Sequence, residues 1–524
     1  MRRRGLLLGG FLLPLGPAAR AQSQLGASAP TPPALAPNAQ AAMLGDTVGA
    51  GFSRIVVARW GDEVLPGTPP FAPNALTPEQ ADGQFPYDGV IAGMVPAPAA
   101  QDGIPRQVMV VATQNIPARM VFAPGQDDKT VAGRMQGVTV LNLQFLGGRW
   151  LTVDGGYQTR RISDSALCWI SGPAAAAIGA NVQGVLGPEA GCATPWGTVL
   201  LAEGDAAAWL ARLAGVGYGY ADPAQAARFG WVVELDPLDP DSIPVKRTAC
   251  GRLPRGGLAA TQTSDGRAVV FFTQDAPAGA LFRFIAATNA TDGTALDSGT
   301  LAVAQLDGDG IKWVDLGNDV PTLVGLAGAA QSAGAEMFDA PGGLSLSQDG
   351  KALYMACAGN AARAVPDALN PGSSAGHILL FTPPDGDVTA AIFAGKIVLI
   401  AGNPATGEGT QYPPGATCWL RKPRTLGLDA GGRLWIGTDQ GGDTSLTADG
   451  LFLLEGERLT NEYLAPMGAA MGGTVFDSGT RTAFAMVRHP GATPSASYNF
   501  PATRWPTLAP NMPPQSTVIG LVEA

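Results

Sequence analysis

Glycine and proline punctuate this chain so densely that no long helix can run through it. There are 71 glycines and 44 prolines among 524 residues, and these are the two residues most costly to a helix interior. A long helical bundle or a coiled coil is excluded on that ground. Between the punctuation lie short runs rich in β-branched and aromatic residues, at 54–58, 108–112, 138–145, 196–202, 230–235, 268–272 and 281–286. The pattern continues at 301–306, 352–357, 377–381, 397–401, 433–437, 450–454 and 482–487. Each run has the length of a strand and is bounded by turn chemistry. Three turns share a form: Ser264-Asp265-Gly266-Arg267, Gln348-Asp349-Gly350-Lys351 and Ala430-Gly431-Gly432-Arg433 each feed an apolar run. Hairpins recurring at intervals of roughly 80 residues are the pattern of propeller blades. Helical candidates are few, Ala206–Leu213 with Asp205 as its N-cap, and 327–333. The prediction is all-β, a single β-propeller domain over residues 51–524 with a few short helices in insertions.

The N-terminus reads as an address. Arg2, Arg3 and Arg4 precede a short apolar stretch from Leu6 to Leu15, and Ala19-Arg20-Ala21 is a small-residue cleavage site. Arg3-Arg4-Gly5-Leu6-Leu7 is similar to a twin-arginine signal, with an ordinary secretory signal as the alternative. Residues 1–21 are therefore expected to direct export to the periplasm or the medium, and 22–50 to form an Ala/Pro-rich disordered segment. No later run reaches the ~18 apolar residues of a membrane span. A net charge of −10 argues against nucleic acid or an anionic membrane surface as partner. With two histidines in the chain, zinc sites built from several histidines are excluded, and any Ser-His-Asp triad must use His377 or His489. The five cysteines lack metal-site spacing. No glycine-rich stretch carries the Lys-Ser/Thr of a P-loop, and no Gly-x-Ser-x-Gly elbow precedes a helix.

An ordered series of short motifs adds a second line of inference. It begins with Arg59-Trp60-Gly61-Asp62 and Val64-Leu65-Pro66-Gly67, and passes through Arg160-Arg161-Ile162 and Gly172-Pro173-Ala174. Cys192-Ala193-Thr194-Pro195-Trp196-Gly197-Thr198 leads to Glu203, followed by Gly230-Trp231-Val232 and Glu234-Leu235-Asp236-Pro237. Gly251-Arg252, Gly299-Thr300-Leu301, Gly376-His377-Ile378, Gly432-Arg433-Leu434-Trp435-Ile436-Gly437-Thr438-Asp439 and His489-Pro490-Gly491 complete it. From about residue 55 to 491 the chain resembles PhoX-type secreted alkaline phosphatases. The resemblance implies a six-bladed propeller, export by the twin-arginine route, and hydrolysis of phosphate monoesters at iron and calcium ions in the central channel. Hard cations of that kind need many carboxylate oxygens to hold them, and a dense metal cluster neutralises phosphate charge and the charge that develops in the transition state.

The departures from the family pattern fall on those carboxylates. The family's Asn-His-Glu aligns with Ala112-Thr113-Gln114, its Glu-Glu with Glu203-Gly204, and its His-Glu with Arg255-Gly256. Gly-Asp-Asp becomes Thr273-Gln274-Asp275, Arg-Pro-Glu becomes Ala340-Pro341-Gly342, Pro-Asp becomes Pro423-Arg424, and a later Glu aligns with Ala470. Cys192 stands for the family's iron thiolate, with three residues fewer between it and Thr194. The residues left to hold a cation are Cys192, Glu203, Asp275 and Asp439. Arg255 and Arg424, standing where metal-site groups are expected, could instead meet an anion, together with His489. The resemblance thus implies calcium and iron as cofactors, while the missing acids argue against a full cluster. Three functions remain open: a divergent phosphatase acting on a small anion such as a phosphate ester, a non-catalytic exported propeller that binds a ligand or partner at its channel, and a single-calcium hydrolase such as a lactonase.

Overall fold

The computed structural model describes residues 43–98, 100–216, 223–443 and 447–524, so the export signal expected at 1–21 and residues 22–42 lie outside the described residues. Six strands form an inner ring: Val90–Pro96, Pro188–Ala193, Arg255–Gln262, Pro341–Leu346, Pro423–Leu428 and Ala470–Asp477. Each packs against the next, and the sixth packs against the first. Each opens a run of strands that pair antiparallel outward from the channel, numbered here as blades 1 to 6. Blade 2 adds one parallel pair, Val245–Arg247 with Leu167–Ser171, and blades 3 and 4 join at their outer strands into one nine-stranded sheet. The fold is the six-bladed propeller that the hairpin pattern and the resemblance predict. The three Gly-basic turns join the inner and second strands of blades 3, 4 and 5.

The ring is closed by the two ends of the fold. The outermost strand of blade 6 is Phe52–Arg59, paired with Thr517–Glu523 from Phe52 opposite Glu523 to Arg59 opposite Thr517. Residues just before it, which composition places in the Ala/Pro-rich segment 22–50, are also built in. Thr47–Val48 pairs with the outer strand of blade 5, and Asp46 binds Arg54 at 2.8 Å and accepts from Trp505 Nε1 at 3.1 Å. One acid with buried partners outweighs the polar, turn-rich composition around it.

The second strand of each blade lies between the inner and outer strands with a neighbouring blade on either face, so both faces are covered. In blade 3, Val269, Val270, Phe271 and Phe272 are consecutive and fully buried, as expected of a strand buried on both sides. The inner strands differ. They are rich in Gly, Ala and Thr, and each departs from regular register near its start. A Cβ on Gly257 would sit 2.3 Å from the carbonyl oxygen of Gly342 in the next blade, so only glycine permits that approach. The channel they enclose has a cavity of about 330 Å³.

Helices are short. Ala206–Leu213 forms as predicted, with Asp205 Oδ1 accepting from the backbone N–H groups of Ala207 and Ala208. The second candidate appears as Leu326–Ser332. Pro78–Gly83 opens on a capping box, Thr77 with Gln80, and Lys129–Met135 is capped by Asp128. Among the described residues no helix is long and apolar enough to cross a membrane.

Candidate functional site

The inner strands deliver their first residues to one end of the channel, and a repeated backbone device aims them. In blades 2, 4 and 5 a residue of positive φ (Gly187 at 54°, Ala340 at 50°, Lys422 at 51°) is followed by proline and then by the residue at the bulge. Those residues are Glu189, Gly342 and Arg424. Bulges re-aim side chains next to functional sites, and non-glycine residues held at positive φ mark backbone that its surroundings over-determine. Asp88 (φ 63°) and His489 (φ 31°), beside the same channel end, share that conformation.

The side chains gathered there form one charge network. Arg424 Nη2 donates to Asp275 Oδ1 at 2.7 Å. Arg488 donates from Nε to Asp88 Oδ1 at 2.8 Å, from Nη2 to Asp88 Oδ2 at 3.1 Å, and from Nη1 to Asp439 Oδ2 at 3.3 Å. Glu189 lies between them, its Oε2 accepting from Gln114 Nε2 while its Oε1 is buried without a partner. Burial and then the neighbouring Asp275 hold the Glu189 carboxyl well above the usual range, which favours its neutral form. Burial pushes Asp439 the same way, but Arg488 and His489 outweigh it and keep that carboxyl below its ordinary value. Asp88 and His489 also meet through Ser516 Oγ, which accepts from both backbone N–H groups.

Glycines make room for this network. A Cβ on Gly342 would meet Arg424 Cδ at 3.2 Å, and one on Gly256 would meet Arg424 Nη2 at 3.5 Å. A Cβ on Gly204 would fall 2.5 Å from Glu189 Oε1, and one on Gly472 would fall 2.7 Å from Arg488 Cδ. The Arg424 side chain thus lies across the space over two positions where the motif series has Glu.

The sequence-derived candidates separate into two groups. Asp275, Arg424, Asp439 and His489 come together at the channel end. Glu203 does not join them: its Oε1 accepts from Lys246 Nζ at 2.7 Å and Leu186 N at 2.9 Å, and its Oε2 from Gly230 N and Trp231 N, all inside blade 2. Arg255 turns into the wall between blades 2 and 3, donating to the carbonyls of Gly230, Leu253, Cys250 and Gly251 over the Phe272 ring. Its guanidinium is a structural tie rather than a channel group. Cys192 lines the channel further in, and burial pushes its thiol up to about 12, away from the thiolate form. His377 is fully buried in blade 4, and burial lowers its pKa to about 4.

Glu189, Arg488 and Asp88 are absent from the candidates read from sequence. Glu189 had a signal. Its missing three-residue spacing disappears when the motif is counted back from Thr194 without a gap, because that count ends on Glu189 and not on Cys192. The recurring Gly187-Pro188-Glu189, Ala340-Pro341-Gly342 and Lys422-Pro423-Arg424 are a second signal. Arg488 immediately precedes His489-Pro490-Gly491.

With this geometry in place, the comparisons are decisive about kinship. The model of the family described as alkaline phosphatase PhoX matches residues 35–491. The chain belongs to the PhoX family. The structure of Pseudomonas fluorescens PhoX in complex with vanadate, a transition state analogue, superposes with a TM-score of 0.81 at 25% identity, covering 94% of this chain and 98% of that one. A Xanthomonas campestris gluconolactonase gives a TM-score of 0.34 at 13% identity, covering 88% of this chain and all of that one. A carbohydrate-active enzyme of Trichoderma reesei gives 0.28 at 11%, covering 79% and 98%. No curated protein matches this sequence. Within the PhoX fold of this chain, no three His, Cys, Asp or Glu side chains among the described residues are arranged to hold a metal ion.

Proposed function

We propose that this PhoX-family chain binds a small oxyanion of the phosphate-monoester class at its channel mouth, with Arg424 as the principal anion group in place of metal ions. The observation that carries this reading is the placement of Arg424. Its guanidinium occupies the space over Gly256 and Gly342, and among the described residues Asp275 is its one hydrogen-bond partner. A guanidinium has five N–H donors in a planar fork suited to tetrahedral oxyanions. Four are therefore left for a ligand. With Glu189 favoured in its neutral form, Asp275 is the carboxylate that competes for them.

An iron–calcium cluster of the kind the family resemblance implies does not fit these residues. Asp275, Asp439 and Asp88 are each held by an arginine, and a guanidinium beside a cation site adds repulsion to the loss of ligands. Glu203, which a single-calcium hydrolase would need beside Asp275 and Asp439, has all its hydrogen-bond partners inside blade 2. We therefore read the chain as a binding propeller on a phosphatase fold, exported through its Arg3-Arg4 signal to the periplasm or beyond. The vanadate bound by the Pseudomonas fluorescens protein belongs to the same ligand class.

Calorimetric titration with inorganic phosphate, metal analysis of the protein purified from the periplasm, and a p-nitrophenyl phosphate assay with and without added Ca²⁺ test this reading together. Phosphate should bind without stoichiometric metal or turnover. Arg424→Gln should weaken it by roughly 10- to 100-fold, the range for charge-assisted hydrogen bonds. Two or more tightly bound metals with hydrolysis would overturn it.

A further inference from the structure

A second space opens beside the charge network, bounded by blades 1, 5 and 6. It is a cavity of about 280 Å³ that shares Arg488, Asp439 and His489 with the mouth and reaches outward past Tyr87, Asn115 and Arg119. The volume is at the lower edge of the ~300–1,000 Å³ of small-molecule sites. One polar group in its wall has no structural task. Tyr87 is fully buried, its ring packed edge-on against Trp60 with centroids 5.2 Å apart, and its hydroxyl has no partner. A buried hydroxyl left unsatisfied costs free energy that a ligand would recover.

The remaining wall sorts the ligand. His489 Nδ1 lies 3.0 Å from the carbonyl of Gly468, which fixes Nδ1 as a donor and leaves Nε2 to meet a ligand, as an acceptor when the ring is neutral and as a donor when it is charged. Asn115 offers both an amide donor and an acceptor, and Tyr87 can act as either. Alternating donors and acceptors in a small space are matched by hydroxyl groups, each of which is both. An aromatic alcohol would leave Tyr87 and His489 unsatisfied. We infer that this cavity receives the alcohol portion of the ester bound at Arg424, and that this portion is a compact polyol or sugar rather than an aromatic or lipid group.

The inference rests on the anion-binding reading above, and one titration series separates the two. Full-chain protein is titrated with inorganic phosphate, glycerol 3-phosphate and phenyl phosphate, in the wild type, Tyr87→Phe and Asn115→Ala. Glycerol 3-phosphate should bind about tenfold more tightly than phenyl phosphate, and Tyr87→Phe should weaken it about fivefold, the worth of one hydrogen bond, without changing inorganic phosphate. Asn115→Ala should act in the same direction on an exposed side chain. The unliganded Tyr87→Phe protein should melt no lower than wild type, because the hydroxyl it loses has no partner. Failure of the wild type to bind inorganic phosphate would sink the anion site and this inference with it. Phosphate binding with phenyl phosphate equal or preferred, or with glycerol 3-phosphate unaffected by both substitutions, would overturn the polyol cavity alone.

Discussion

The second strand and the innermost strand of one blade are hydrogen-bonded neighbours, yet they obey different rules. In blade 3 the second strand reads Arg-Ala-Val-Val-Phe-Phe-Thr-Gln from Arg267, and its centre is buried on both faces. The inner strand beside it reads Arg-Gly-Gly-Leu-Ala-Ala-Thr-Gln from Arg255. The first is held by apolar area, and the second by how closely backbones can approach around a channel. Stability is concentrated in one, and the site is built by the other.

The comparison breaks if core substitutions in a second strand prove mild. Phe271 is fully buried against Trp313 and Phe393, with ring centroids 5.9 and 6.3 Å away. Phe271→Ala should cost about 3–5 kcal/mol, the range for deleting a large buried aromatic. Chemical denaturation measures it, and phosphate affinity of the protein that remains folded should not change. A cost below about 1 kcal/mol would place it among surface substitutions and remove the distinction.

The same contrast explains which parts of the molecule are legible in the amino-acid sequence. None of the apolar runs picked out by composition is an inner strand, whereas every blade has its second strand among them. Val269–Phe272 announces itself because burial on both faces demands consecutive apolar residues. Gly256 and Gly257 resemble a loop because the demand on them is steric, and the contact that demands glycine comes from another blade. The closing strand Thr517–Glu523 is not among the runs either; it pairs with Thr482–Arg488 on one side and with Phe52–Arg59, from the opposite end of the chain, on the other. In the site, Asp275, Arg424, Asp439 and His489 are legible from motif position. Arg255 and Glu203 mislead because a motif gives adjacency and not direction. The bulge between Arg255 and Gly257 sends the arginine into the wall while Gly256 faces Arg424. The acids missing from the motifs and the glycines that replace them are connected: each glycine clears space for Arg424 or Glu189.

That connection makes an inner-strand prediction of intermediate size. In Gly257→Ala the new methyl meets the backbone of Gly342 at 2.3 Å and of Gly343 at 3.0 Å, so blades 3 and 4 must separate slightly. Overpacking of this kind costs about 1–3 kcal/mol, less than Phe271→Ala. It should nevertheless weaken phosphate binding, because the Arg424 side chain lies over Gly256 and Gly342 of those same strands. Stability loss with intact affinity would show that the mouth does not depend on channel closure.

The smallest effect separates two acids on neighbouring segments of blade 5. Asp439 has Arg488 beside it, whereas Asp449, the more buried of the two, has the neutral Gln440 as partner, through its backbone N–H at 3.1 Å and its amide at 3.4 Å. Burial first, and then the charge on Asp439, push the Asp449 carboxyl up to about 7. A carboxyl raised in the folded state favours folding while it is protonated. Its contribution is full below the unfolded value near 4 and is lost as the pH rises through 7. Asp449→Asn keeps the shape and removes the titration. Melting curves should therefore coincide for the two proteins near pH 4 and separate by pH 8, with the variant the more stable. A difference that stays constant across that window would mean that Asp449 is charged throughout, and that the network around Arg488 extends further into blade 5 than Asp439.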